Sequence, residues 1–118
     1  MNIEALRRRQ QWQREEQQKR AELRPLRTQV NNALRMAGLP RSKWLRSGRI
    51  KGAGHSTFGY ETDSDIFRQC IIVRFHCGDW GNRQDEIPAL IQKAIDVLTQ
   101  AGFDISGQNP LMVTKKEQ

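Results

Sequence analysis

Arginine and lysine are the side chains with which this sequence can do the most chemistry. Arg7, Arg8, Arg9, Arg14, Lys19, Arg20 and Arg24 crowd the first two dozen positions and Arg27 follows them. Arg41, Lys43, Arg46, Arg49 and Lys51 then recur in RSKWLRSGRIKGAG, residues 41–54, with no acid among them. Arginine outnumbers lysine in this set, and its planar fork grips phosphate through two parallel hydrogen bonds and stacks on bases in a way an ammonium cannot. Trp12 and Trp44 lie inside the cationic stretches, where an indole can stack on an unpaired base. Trp44 is nevertheless expected in the core, the commoner use of a tryptophan, whereas Trp12 has few local apolar neighbours and is expected at a partner contact or simply exposed.

Other constellations are weaker. Gly48-Arg-Ile-Lys-Gly-Ala-Gly-His sets small residues beside cations, so backbone N–H groups could approach a phosphate there. It lacks the G-x-x-x-x-G-K-[ST] order of a phosphate loop, which leaves nucleotide hydrolysis unsupported and makes a hairpin connection the better reading. His55, His76, Cys70 and Cys77 are the only soft ligands. They show neither C-x-x-C nor H-x-x-x-H spacing, so no metal site, no cofactor and no nucleophile triad is expected. Each cysteine reads as a small buried hydrophobe.

The net charge of +7 is an average over two unlike stretches. Residues 1–51 hold 14 Lys/Arg against 4 Asp/Glu, net +10, and residues 52–118 hold 6 against 9, net −3. Such asymmetry predicts a basic arm on a nearly neutral body and a polyanionic partner. At 118 residues there is room for one domain of modest core. No apolar run approaches the roughly 20 residues of a membrane span, and the Gln-rich stretch after Arg9 is unlike a secretory signal. With only two cysteines, a soluble cytoplasmic protein that does not engage membrane is expected.

The elements that must position these groups follow from spacing. Asn2 to Arg24 contains no Gly or Pro, and the acid comes first in Glu4/Arg8, Glu15/Lys19 and Glu16/Arg20, which supports a helix. Ile3, Leu6, Trp12 and Leu23 make no continuous stripe, so residues 1–24 are read as a helical or disordered arm. Pro25 is expected to break it from a second, amphipathic helix carrying Leu26, Val30, Ala33, Leu34 and Ala37 and stopped by Gly38, with Arg27 and Arg35 free on its outer face. A basic turn or short strand around Trp44 and Leu45 comes next, then a strand over 55–61 and a turn at 62–65. A strand over 67–77 should place Phe67, Ile71, Val73 and Phe75 on the core side and Arg68, Arg74 and His76 on the other. After a loop at 78–84, Asp85 is expected to cap a helix with the stripe Ile87, Ile91, Ala94, Ile95 and Leu98. Short strands at 103–105 and 111–114 flank a turn at 106–110. The fold class is therefore α+β: a long basic N-terminal helix or arm, a second amphipathic helix, and a small, mainly antiparallel sheet packed with one helix of the C-terminal half, residues 25–118 forming the compact unit.

Two resemblances bear on function. Lys51-Gly-Ala-Gly-His-Ser-Thr-Phe, after a helix and before strands and a helix, resembles the G-S-H-H stretch of HicA-type toxins, small ribonucleases with a dsRNA-binding-domain-like fold. That likeness implies His55 as a general acid or base, although a single histidine, different spacing and the long basic arm depart from the pattern. The layout as a whole is similar to that of certain anti-CRISPR inhibitors of phages and plasmids, with a basic N-terminal segment before a small sheet-and-helix body. It implies a non-enzymatic inhibitor that engages RNA, DNA or a host nucleoprotein such as a CRISPR effector. The sequence thus predicts a binding protein acting through the cations and Trp12 named above, with a ribonuclease using His55, or a module whose arm takes an acidic protein partner, as the alternatives.

Overall fold

Asn2 opens the first helix by accepting a hydrogen bond from the Glu4 N–H at 3.0 Å on its side-chain oxygen, the usual role of Asn at an N-cap. In this computed structural model, which describes residues 2–46, 48, 52, 54–78 and 83–116, helix α1 then runs unbroken from Ile3 to Met36. The break expected at Pro25 does not occur. Proline removes one N–H from the ladder and crowds the carbonyl four residues back, a cost of about 3 kcal/mol. Here Leu23 and Leu26 pack against the core on either side of it, and Val30 and Leu34 are buried one and two turns later, so tertiary packing holds the helix straight through. The two expected helices are one.

At its other end α1 stops as the sequence predicts. Gly38 takes φ +81°, its N–H bonds to the Arg35 carbonyl at 3.0 Å, and the Leu39 N–H bonds to the Leu34 carbonyl at 3.2 Å. This is a Schellman cap, completed by the burial of both leucines in the core.

Pro40 to Lys43 then runs alongside the start of strand β3 (Gly59–Asp65). Tyr60 N–H bonds to the Pro40 carbonyl at 2.9 Å, and Ser42 N–H to the Tyr60 carbonyl at 2.8 Å. The crossing is so close that a Cβ on Gly59, at φ +144°, would stand 2.4 Å from the Pro40 oxygen. Strands β1 (Trp44–Arg46) and β2 (Gly54–Ser56) pair antiparallel as a hairpin, Trp44 opposite Ser56 and Arg46 opposite Gly54.

The main sheet has four antiparallel strands in the order β3-β4-β6-β5: β3 Gly59–Asp65, β4 Cys70–His76, β5 Phe103–Gly107 and β6 Leu111–Lys115. The turn expected at 62–65 is strand; the turn falls at 66–69. Thr62 belongs in the strand because it is buried and hydrogen-bonded to α1, and Asp65 shapes the turn by accepting from the N–H groups of Phe67 and Arg68, both at 3.1 Å. Phe67, expected in the core, therefore sits in that turn, 83% exposed.

Helix α2 (Ile87–Gln100) follows a single 3₁₀ turn at Gln84–Glu86, with Pro88 in its first turn; Asp85 makes no cap, lying inside the 3₁₀ turn instead. Its most buried positions are Leu90, Ala94 and Leu98, so the buried face includes Leu90, which the expected stripe omitted. Both helices cover one face of the sheet. The core joins Val30 and Leu34 of α1 and Leu90, Ala94 and Leu98 of α2 to Tyr60, Ile71, Val73, Phe75, Leu111 and Val113, the alternate residues of three strands. The α+β layout, with a helix on a small antiparallel sheet, is as expected. No helix among the described residues is long and apolar enough to cross a membrane.

Candidate nucleic-acid interface

Arg7, Arg8, Arg9, Arg14 and Arg24 project from exposed turns of α1. None makes an ion pair with another described residue, whereas Arg20 is paired with Glu16 at 3.1 Å. Of the expected acid-first pairs only this one forms; Glu15 and Glu22 instead accept from Gln11 and Gln18, at 3.3 and 3.5 Å. Helical spacing aligns Arg9, Arg20, Arg24 and Arg27, at i, i+11, i+15 and i+18, along one side of α1 over about 27 Å. Arg7 and Arg14, one heptad apart, lie on another side. Trp12, 55% exposed, is in line with Val30 but five turns further out, beyond the reach of the core.

The arginine row ends at a cleft of about 330 Å³ between α1, the β1-β2 hairpin and β3, lined by Arg27, Arg41, Ser42, Lys43, Trp44, Ser56, Glu61 and Thr62. Arg27 is not free, as the sequence suggested: its Nε donates to Thr62 Oγ1 at 3.3 Å and its Nη2 to the Thr62 carbonyl at 2.9 Å. Thr62 Oγ1 donates in turn to Asn31 Oδ1 at 2.9 Å, so the guanidinium is fixed against the cleft floor. Arg41 and Lys43 are exposed, and their backbone is laced to the strand entry. Lys43 N–H donates to Thr57 Oγ1, the Thr57 N–H to the Lys43 carbonyl, and Ser42 Oγ to the Thr57 carbonyl, each at 2.8 Å. Among the described residues Glu61 is the one acid in the lining, and His76 Nε2 engages its Oε2 at 2.6 Å.

Trp44 is not in the core. It is 57% exposed, and a Cβ on Gly54 would lie 2.7 and 2.8 Å from two atoms of its six-membered ring. The indole therefore lies on the bare backbone of Gly54, a support that only glycine can supply. Arg46 is exposed on β1. Arg49 and Lys51, also expected at the site, lie outside the described residues.

The other places where cations were expected are different in kind. The outer sheet face carries Arg74 facing Asp63 at 3.9 Å and His76 on Glu61, while Arg68, in the turn, faces Asp65 at 3.9 Å; this is a charge-paired surface, not a basic platform. A larger hollow of about 590 Å³, where α1 leaves the body, mixes Lys19, Arg68 and Lys115 with Glu22 and Asp104, leaving little net charge. His55 sits in β2 opposite Leu45, half-buried. Among the described residues no three His, Cys, Asp or Glu side chains converge as metal ligands would.

Compared with known proteins, the chain matches no family model, no curated protein and no solved structure.

The residues that sequence reasoning missed are the ones that position: Asn31 and Thr62 for Arg27, Thr57 for Lys43, Gly54 for Trp44. The contacts that do this, Asn31–Thr62, Thr62–Arg27, Thr57–Lys43 and Gly54–Trp44, each span 10 or more residues, so no local pattern marks them. The cations themselves were visible as a charge run.

Proposed function

We propose that the protein is a non-enzymatic binder of nucleic acid, free or held within a nucleoprotein, that grips phosphates with the cations of α1 and of the segment from Arg41 to Arg46. The observation that carries this reading is the arginine row Arg9, Arg20, Arg24 and Arg27, which runs along α1 into a cleft bearing Arg41 and Lys43. A solubilising helix needs charge but no convergence on a pocket. Neutralising phosphates releases their condensed counterions, and that release supplies most of the affinity of sequence-independent contacts. The body fixes how the row is presented, since Val30 and Leu34 anchor α1 to the sheet. An inhibitor that occupies the nucleic-acid groove of a phage-defence complex such as a CRISPR effector is the same chemistry directed at a protein-held strand.

The test is direct. Added to a labelled strand of ~20 nucleotides, RNA or DNA, the full chain should raise its anisotropy at concentrations near the ~10⁻⁴–10⁻⁶ M typical of non-specific binding. The strand should be intact afterwards. Fragments that disappear with His55→Ala would replace this reading with a ribonuclease, and absence of any shift would end it.

A further inference from the structure

Resting on the nucleic-acid reading above, we infer that the cleft between α1, the β1-β2 hairpin and β3 seats a single unpaired nucleotide, its base stacked on Trp44 and its phosphate held by Arg41 and Lys43, so that the protein selects single strands over duplex. Trp44 has the attributes of a stacking platform. Its ring is backed by the Gly54 backbone, which costs no conformational freedom on binding, and more than half of the residue's surface is open. A core tryptophan would have no such free surface.

The lining supplies the second half of a nucleotide's chemistry. Among the described residues of the lining, three cations face one carboxylate, and that carboxylate is already engaged by His76. Arg27 is immobilised by Thr62, the Lys43 backbone is bonded to Thr57 and the Ser42 N–H to the Tyr60 carbonyl, so one guanidinium and the backbone that carries Arg41 and Lys43 are in place before a ligand arrives. At about 330 Å³ the cleft is at the lower end of the range of small-ligand sites, which suits one base with its phosphate. In a duplex both faces of each base are covered by its neighbours, so a base can reach the indole only from an unpaired strand.

The test compares a uridine-rich RNA strand of ~12 nucleotides with a duplex of the same length at one salt concentration. The full chain is expected to prefer the single strand. Trp44→Ala should weaken single-strand binding by roughly 5- to 150-fold, the span that stacking of one base supplies, and erase the preference, while Trp44→Phe should restore most of it. Thermal melts of both variants show whether they are folded, and retention by Phe separates stacking from a structural role. A free mononucleotide at millimolar concentration should compete weakly with the strand; full displacement at micromolar concentration would mark a nucleotide site instead and overturn the strand proposal. Equal affinity for strand and duplex, unaltered by Trp44→Ala, overturns the inference and leaves phosphate binding standing. Failure of both ligands to bind would overturn the broader reading as well.

Discussion

At the scale of single residues, the positions that matter most are held by partners far away in sequence. Arg27 owes its orientation to Thr62, and Trp44 owes its exposed ring to Gly54. The cysteines illustrate the same dependence on surroundings. Cys70 is buried, and burial pushes its thiol pKa up, the charge of Asp65 adding to the rise and Arg68 opposing it. A pKa raised on folding favours the protonated fold, so this group's stabilisation is full below the unfolded value of about 8.5 and disappears as pH rises through the folded one. The native chain at pH 8 should therefore give one fast thiol in a disulfide-exchange assay, from half-buried Cys77, and the second only on unfolding. Stability in urea should fall between pH 8 and 10, and less so in Cys70→Ala. Two fast thiols would contradict the burial of Cys70. By contrast the exposed pair Arg74–Asp63, at 3.9 Å, is expected to contribute at most about 1 kcal/mol.

At the scale of elements, α1 decides the presentation of the site, and Pro25 is its one local defect. Because the helix passes through Pro25 without a break, Pro25→Ala should restore a hydrogen bond and relieve the crowding. Its expected effect is a higher melting temperature and stronger helical ellipticity, worth up to about 3 kcal/mol. A lower melting temperature would mean that the proline serves the fold. The same position shows what a sequence does and does not disclose. The apolar spacing of Leu26, Val30 and Leu34 and the stop at Gly38 were legible, since both are local. Whether the ladder survives a proline depends on what Leu23 and Leu26 pack against, which is not local. Strand β4 is legible in its core face, Ile71, Val73 and Phe75, yet the alternation puts its start three residues early, because Phe67 continues the pattern while Asp65 makes the turn. Of the site, the cations could be read directly. The cleft could not, because it depends on the register of Trp44 opposite Ser56 and on the crossing of Pro40 over Gly59.

At the scale of the whole molecule, charge and form coincide. The radius of gyration is 17.4 Å, against about 13.5 Å for a compact chain of this length, and the extents are 53 × 50 × 21 Å. A 34-residue helix is about 51 Å long, and only its last four turns pack on the sheet, so the excess is the projecting basic half of α1. The arginine-rich first turns of α1 thus reach outward from the body, where their field attracts a polyanion to the helix. The measurement that bears most directly on this account is the salt dependence of single-strand binding by the full chain and by the triple variant Arg7→Ala, Arg8→Ala, Arg9→Ala. With about six phosphates neutralised, log K should fall against log salt with a slope near −4 on a single strand, flattening to about −2 in the variant. A slope flatter than about −1 in the full chain, or one that the triple variant leaves unaltered, would contradict phosphate neutralisation by α1.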